Sequence, residues 1–254
     1  MESGLVSIIT PMYNGATFVG QTIESVLKQT YEKWEMIIVD DFSPDDGSGI
    51  REVKRYTDNR IFLIENKVNS GSSGARNTAL RVAKGQYIAF LDADDLWHPS
   101  FLEKQLNFMK DKNASIVFSS YRRIEELTSE EILSPFIVPD KVNYSSLLRT
   151  CPIFPSTAIY DLTKVKKIFF NEEMGSLRDD YVYWLSMLKK VDYAYGNKEV
   201  LVDYRIRKTS VTGNKKKVIV PQWKVLHEVE KLSWLRSAYY IFCWAFIGYF
   251  KYRK

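Results

Sequence analysis

Over its first 120 residues the chain alternates short apolar runs with segments of helical spacing, and this constrains its fold more than any other feature. Residues 5–10, 34–39, 61–65, 86–91 and 114–119 are strand-length and rich in Ile, Val, Leu and Phe. Between them, residues 17–29, 49–56, 73–83 and 100–110 read as helices, the first with Phe18, Ile23, Val26 and Leu27 along one side. Strands separated by helices in this way run parallel, with the helices covering both faces of the sheet. The spacing predicts an α/β fold with a mostly parallel central sheet flanked by helices.

In such sheets ligands bind beyond the carboxyl ends of the strands, and the polar residues of this sequence gather there. The first strand ends in Pro11-Met12-Tyr13-Asn14, the second in Asp40-Asp41, and the strand at 86–91 in Asp92-Ala93-Asp94-Asp95. Three carboxylates within four residues repel one another unless a cation or protons compensate. A hard divalent ion shared with substrate phosphates would do so. An acidic turn capping the next helix is the structural alternative. Asp40-Asp41 could accept hydrogen bonds from a base or ribose, or simply open the turn after it. Residues 69–77, Asn-Ser-Gly-Ser-Ser-Gly-Ala-Arg-Asn, form a glycine- and serine-rich loop entering a helix. Free N–H groups there, with Arg76, suit a diphosphate, although neither a P-loop nor a dinucleotide fingerprint is present. Far along the chain, Arg178-Asp179-Asp180 opens another helix. These acids are either helix-dipole partners or include a general base.

Beyond residue 120 the pattern loosens around Pro135, Pro139, Pro152 and Pro155. A helix at 179–190 and a strand at 199–205 come next, and the last fifty residues read as two helical pieces, 220–232 and 233–250. Charge is skewed: residues 1–204 carry 24 Lys and Arg against 29 Asp and Glu, whereas residues 205–254 carry 12 against 2. A basic tail points to an anionic partner, a membrane surface or a nucleic acid. The nucleic-acid reading leaves the acidic strand ends unexplained. Residues 238–250 are apolar but number only 13, short of the roughly 20 that span a bilayer. Their Trp and Tyr content, with Lys215-Lys216-Lys217 upstream, suits the water–lipid interface. Packing of this helix on the domain or against a dimer partner is the alternative. Cys151 and Cys243 make no disulfide framework, so a reducing cytosol is expected.

In order along residues 5–211, these segments resemble the family 2 glycosyltransferases of the GT-A fold, in particular bacterial members that assemble surface polysaccharides. The matching pieces are residues 6–14, 38–43, 69–77 and 89–95, then Asp179-Asp180-Tyr181 with Trp184-Leu185, and residues 204–207 with Ser210-Val211. The resemblance implies an inverting transfer of a sugar from a nucleotide diphosphate, a UDP-sugar, to an acceptor hydroxyl on a lipid-linked saccharide. It implies that Asp41 reads the uracil base in a pocket shaped by Pro11 and Tyr13, that Asn14 belongs to the nucleotide-sugar site, and that Arg76 lies near the nucleotide. By the same resemblance Asp92 and Asp94 form the family's D-x-D pair, and Asp94 or Asp95 holds Mn²⁺ or Mg²⁺. Asp180 corresponds to the catalytic base, and Arg205 falls in the segment near the donor diphosphate. Many relatives have Glu at position 179 and His at 207; Arg207 cannot ligate a metal but can pair with phosphate. The implied organisation is a catalytic unit over 1–212, with a nucleotide-sugar half (1–119) and an acceptor half (120–212), and a membrane-associating tail over 213–254. The implied location is the cytoplasmic face of the inner membrane. A sugar nucleotidyltransferase and a non-catalytic, membrane-bound nucleotide-sugar scaffold are the rival readings.

Overall fold

The computed structural model describes residues 1–174, 177–206 and 215–251; Arg207, Ser210, Val211, Tyr252, Arg253 and Lys254 lie outside the described residues. The first half runs β1 (Glu2–Met12), α1 (Val19–Leu27), β2 (Trp34–Asp40), α2 (Ser48–Val53), β3 (Ile61–Glu65), α3 (Gly71–Val82) and β4 (Gly85–Phe90). Next come β5 (Leu96–Trp97), α4 (Phe101–Asp111), β6 (Ile116–Glu125), β7 (Glu131–Phe136), β8 (Lys141–Val142) and α5 (Tyr144–Leu147). The remainder is β9 (Ala158–Asp161), α6 (Asp179–Leu188), β10 (Ala194–Ile206), α7 (Lys215–Lys224) and α8 (Trp234–Lys251).

All seven residues of β2 are buried, as expected of a strand covered on both faces. Successive side chains point to opposite faces, and this sorts the core into two layers. Ile9, Ile37, Val39 and Phe90 pack with Ala75, Ala79 and Leu80 of α3 and with Tyr183 and Trp184 of α6. Ile8, Met36 and Ile38 pack with Val19, Ile23 and Val26 of α1 and Phe101 of α4. Phe90 meets Tyr183 edge-on at 5.5 Å, and Tyr183 stacks on Phe170 at 4.1 Å. This aromatic cluster docks α6 under β4, far from it in sequence.

The strand order is β3-β2-β1-β4-β9-β6-β10-β5, with β7 beside β6 and β8 beside β10. The expected parallel pairing holds through β3, β2, β1 and β4, and again between β6 and β10. Elsewhere the sheet departs from expectation. β9 inserts antiparallel between β4 and β6, and β5, β7 and β8 also pair antiparallel. The physical reason is that the chain between β6 and β9 holds only short pieces among prolines, so no long crossover helix returns it in the parallel sense. Register brings the site together: Met12 stands opposite Asp40, and Ile9 opposite Phe90. The ends of β1, β2 and β4 are therefore level.

At the C-terminus α7 begins five residues before the predicted start and contains Pro221. The helix widens into a π-helical turn over Val225–Val229, a local widening of the kind proline promotes by removing a backbone donor. In α8, Ser237 and Tyr240 are buried. Trp234, Leu235, Tyr239, Phe242 and Phe246 are each more than half exposed. No helix among the described residues is long and apolar enough to cross a membrane.

Candidate active site

The ends of β1, β2 and β4 open onto a cavity of about 530 Å³. Of the sequence-predicted residues, Pro11, Tyr13, Asp41, Arg76, Asp92 and Asp94 line it, joined by Asn69, Gly71 and Ser72 from the loop that enters α3. Tyr13 is half-exposed at the rim. Asn14, at φ 52°, forms the turn after β1, and its N–H donates to Ser43 Oγ at 3.0 Å. Ser43 Oγ in turn donates to Asp40 Oδ1 at 2.6 Å. Asn14 thus shapes the β1 exit without entering the cavity lining.

Asp41 is buried and organises the loop opposite. Its Oδ1 accepts from Asn66 Nδ2 at 2.8 Å, Ser70 Oγ at 2.7 Å and Ser70 N–H at 3.0 Å. Asn69 Nδ2 also donates to the Asp41 carbonyl at 3.1 Å. These bonds set the start of α3, where Gly71 takes φ 71°, a conformation glycine adopts without penalty. A Cβ at Gly74 would lie 2.4 Å from Ser70 Oγ. The small residues of this loop are therefore needed for its closeness to Asp41.

Arg76, one turn into α3, is buried and joins two distant acids. Its Nη2 donates to Asp92 Oδ1 at 2.7 Å and its Nη1 to Asp179 Oδ2 at 3.0 Å. Burial opposes its charge, but Asp92 and Asp179 outweigh that and hold the guanidinium above its ordinary pKa. The same Asp179 oxygen accepts from Ser72 Oγ at 2.8 Å and Ser73 Oγ at 3.1 Å. The acid pair at 179–180 divides its labour: Asp179 fastens α6 to α3, and Asp180 is left beside it. Asp180 is half-buried, and its Oδ1 accepts from the Tyr181 N–H at 2.7 Å. Burial, with the Asp179 charge second, pushes its carboxyl up to about 6, against the pull of Arg178 and Arg76. That value suits a general base working near neutral pH.

The Asp92–Asp95 turn is braced from three sides. Thr22 Oγ1 of α1 faces the Ala93 and Asp95 carbonyls at 2.9 and 3.0 Å. Ser156 Oγ, just before β9, donates to Asp95 Oδ2 at 2.5 Å and accepts from the Asp92 N–H at 3.1 Å. From β10, the Arg205 N–H donates to Asp95 Oδ1 at 3.1 Å and its Nε to the Asp94 carbonyl at 2.8 Å. The other Arg205 nitrogens reach the Glu126 carbonyl (2.7 Å) and Gln21 Oε1 (2.8 Å).

The sequence groups Asp95 with the metal ligands and Arg205 with the donor contacts. In the structure neither lines the cavity: both Asp95 carboxylate oxygens hold the turn, and Arg205 divides its donors among the turn, Glu126 and Gln21. Asp95 is fully buried, and burial together with Asp94 and Asp92 raises its carboxyl well above the usual range. Sequence reasoning missed Ser156, Thr22 and Asn66, because single Ser, Thr and Asn residues carry no spacing signal. The tie made by Asp179 was missed too, though its place next to Asp180 marked it.

The model of the family described as "Glycosyl transferase family 2" matches residues 7–169. Two Escherichia coli proteins named UDP-Glc:alpha-D-GlcNAc-diphosphoundecaprenol beta-1,3-glucosyltransferase are similar along most of their length. WfgD is 36% identical over 98% of this chain and 95% of its own. WfaP is 39% identical over 89% and 86%. Among solved structures, S. aureus TarS in complex with UDP-GlcNAc superposes with TM-score 0.69 at 19% identity, over 93% of this chain and 70% of that one. Mannosyltransferase PcManGT from Pyrobaculum calidifontis, in complex with GDP-Man and Mn²⁺, gives 0.60 at 21% identity over 87% and 61%. These two likenesses bear out the GT-A fold. With its family match and its full-length relatives, the chain belongs to glycosyltransferase family 2.

Proposed function

We propose that this protein transfers glucose from UDP-glucose to a hydroxyl of N-acetylglucosamine carried on a diphosphoundecaprenol lipid, during assembly of a surface polysaccharide. The donor and acceptor follow from the names of the two E. coli relatives. UDP-glucose is α-linked and the relatives' product is named as β-linked, so the transfer inverts the anomeric centre. The observation that carries the reading is the Arg76 bridge. One buried guanidinium joins the donor cavity, through Asp92, to the helix that presents Asp180, through Asp179.

In this reading Asp41 and the α3 loop receive the uridine, with Tyr13 and Pro11 as apolar walls, and the diphosphate lies at the start of α3 near Arg76. Asp180 accepts the proton of the acceptor hydroxyl as that oxygen attacks the anomeric carbon from the face opposite the leaving diphosphate. No group of three His, Cys, Asp or Glu able to hold an ion occurs among the described residues. The donor set still fits Mn²⁺ or Mg²⁺ of the kind that takes one or two carboxylates and completes its shell with substrate phosphates and water. Asp94, with Asp92 beside it on the cavity wall, would hold it, and Asp95 would fix the turn. When bound, the ion offsets charge growing on the departing diphosphate.

The acceptor's lipid places the enzyme at a membrane, and the outer side of α8 suits that surface. Its exposed Trp, Leu, Tyr and Phe side chains project from a segment carrying 12 basic against 2 acidic residues, a combination matched to anionic lipid.

A panel of nucleotide sugars, with Mn²⁺ or with EDTA, tests the reading by thermal shift and by transfer to a GlcNAc-diphosphate lipid. UDP-glucose is expected to stabilise the protein and support transfer, both weakened by EDTA. Binding of another nucleotide sugar in its place would overturn the donor assignment, and EDTA-insensitive transfer would overturn the metal.

A further inference from the structure

Three arginines stand near the site, and two have their guanidinium ends hydrogen-bonded: Arg76 to two carboxylates, with its Nε alone unpartnered, and Arg205 to three acceptors. Arg178 does not. Its Nε is buried with no hydrogen-bond partner, and no hydrogen bond or ion pair engages its side chain among the described residues. Its neighbours are aromatic: the guanidinium carbon lies 4.9 Å from the centroid of Trp244 in α8 and 5.8 Å from that of Tyr181 in α6. A guanidinium packed on rings has its faces occupied and keeps its in-plane N–H groups free to donate. Its backbone, at φ 69°, sits in the left-handed region that non-glycine residues seldom occupy. Of the cations that stabilise the ionised Asp180, Arg178 acts more strongly than Arg76.

This cation is thus next to the base, packed on rings, and without a hydrogen-bonded anion among the described residues. In a GlcNAc-diphosphate acceptor the attacking hydroxyl and the anomeric phosphate belong to one sugar ring. A hydroxyl delivered to Asp180 therefore brings the diphosphate within reach of the neighbouring side chains. We infer that Arg178, shelved on Trp244, binds the diphosphate of the lipid-linked acceptor and so selects acceptors that carry one. The inference rests on the acceptor class proposed above and adds the residue that reads it. It also gives the inner side of α8 a role, since Trp244 holds the acceptor's anchor point while the outer side meets the lipid.

The test compares two acceptors, a GlcNAc-diphosphate lipid and an uncharged alkyl GlcNAc glycoside, in wild type, Arg178→Gln and Arg178→Lys. Assays are run at alkaline pH, so that Asp180 stays ionised without its neighbour. Arg178→Gln is expected to raise KM for the diphosphate acceptor on the order of tenfold or more, as loss of a charge-assisted hydrogen bond does. KM for UDP-glucose and turnover of the uncharged acceptor should stay near wild type. Arg178→Lys, which keeps the charge but loses the fork, should recover part of the loss. Equal losses on both acceptors, or none on either, would overturn the assignment. Failure of wild type to use the diphosphate acceptor at all would instead sink the acceptor class, and the inference with it. Should Arg178→Gln not fold, Arg178→Lys alone decides, by whether its KM rises for the diphosphate acceptor only.

Discussion

At the scale of single residues, the site separates carboxylates that look alike in the sequence. Asp179 lies between two serine hydroxyls and Arg76, whereas Asp180 has one backbone donor and is pushed up to about 6. That raised value acts with opposite signs on activity and stability. With Asp180 as the proposed base, transfer needs it ionised, so kcat/KM should fall as pH drops through about 6. Stability runs the other way. The folded protein retains a proton on Asp180 at pH values where the unfolded chain, with its ordinary value of 3.8, has released it. The ionised group therefore weakens the fold at neutral pH, and that penalty fades as pH falls from about 6 towards 3.8. Asp180→Asn should abolish transfer, leave UDP-glucose affinity near wild type, and raise Tm at neutral pH while leaving it unchanged in acid. A Tm that falls at neutral pH would show that the carboxylate is a structural anchor and not a strained base. None of this division was legible in Asp-Asp as a dipeptide, because hydrogen-bond partners from residues 72–76 decide it.

At the scale of elements, the legible parts were those governed by local rules. β1, β2, β3 and β4 follow from apolar runs, and their shared direction follows from the intervening helices. Once they are parallel, the polar residues at 11–14, 40–41 and 92–95 must meet at one edge. The antiparallel strands resisted reading for the opposite reason: β9 is four residues long and β5 and β8 two each, too short for periodicity to register. Their places are set by pairing with distant strands. α8 lies between these cases. Its existence was readable, but which side packs on the domain was not, since both sides are apolar. The structure assigns Ser237 and Tyr240 inward and Phe242 and Phe246 outward. Phe242→Glu with Phe246→Glu should therefore abolish flotation with anionic vesicles without lowering Tm, and transfer to a water-soluble acceptor should persist. Loss of a dimer in place of vesicle binding would identify the outer face as a contact between copies.

At the scale of the whole molecule, donor and acceptor halves are not separable modules. The division expected after residue 119 falls inside β6, and β9 stitches the two sides of it together, with Ile159 opposite Ala89 on one flank and Val117 on the other. A chain of residues 1–119 alone should associate into aggregates on size exclusion, because β4 would keep an open, apolar edge. A monodisperse fragment would show that β4 tolerates the loss of β9. The same insertion has a consequence in time. During synthesis β4 and β6 are both complete long before β9, yet they must not pair with each other, since the slot between them belongs to a strand not yet made. The nascent protein has to wait, half-zipped, until residue 161 has left the ribosome, and it is most exposed to wrong partners during that interval.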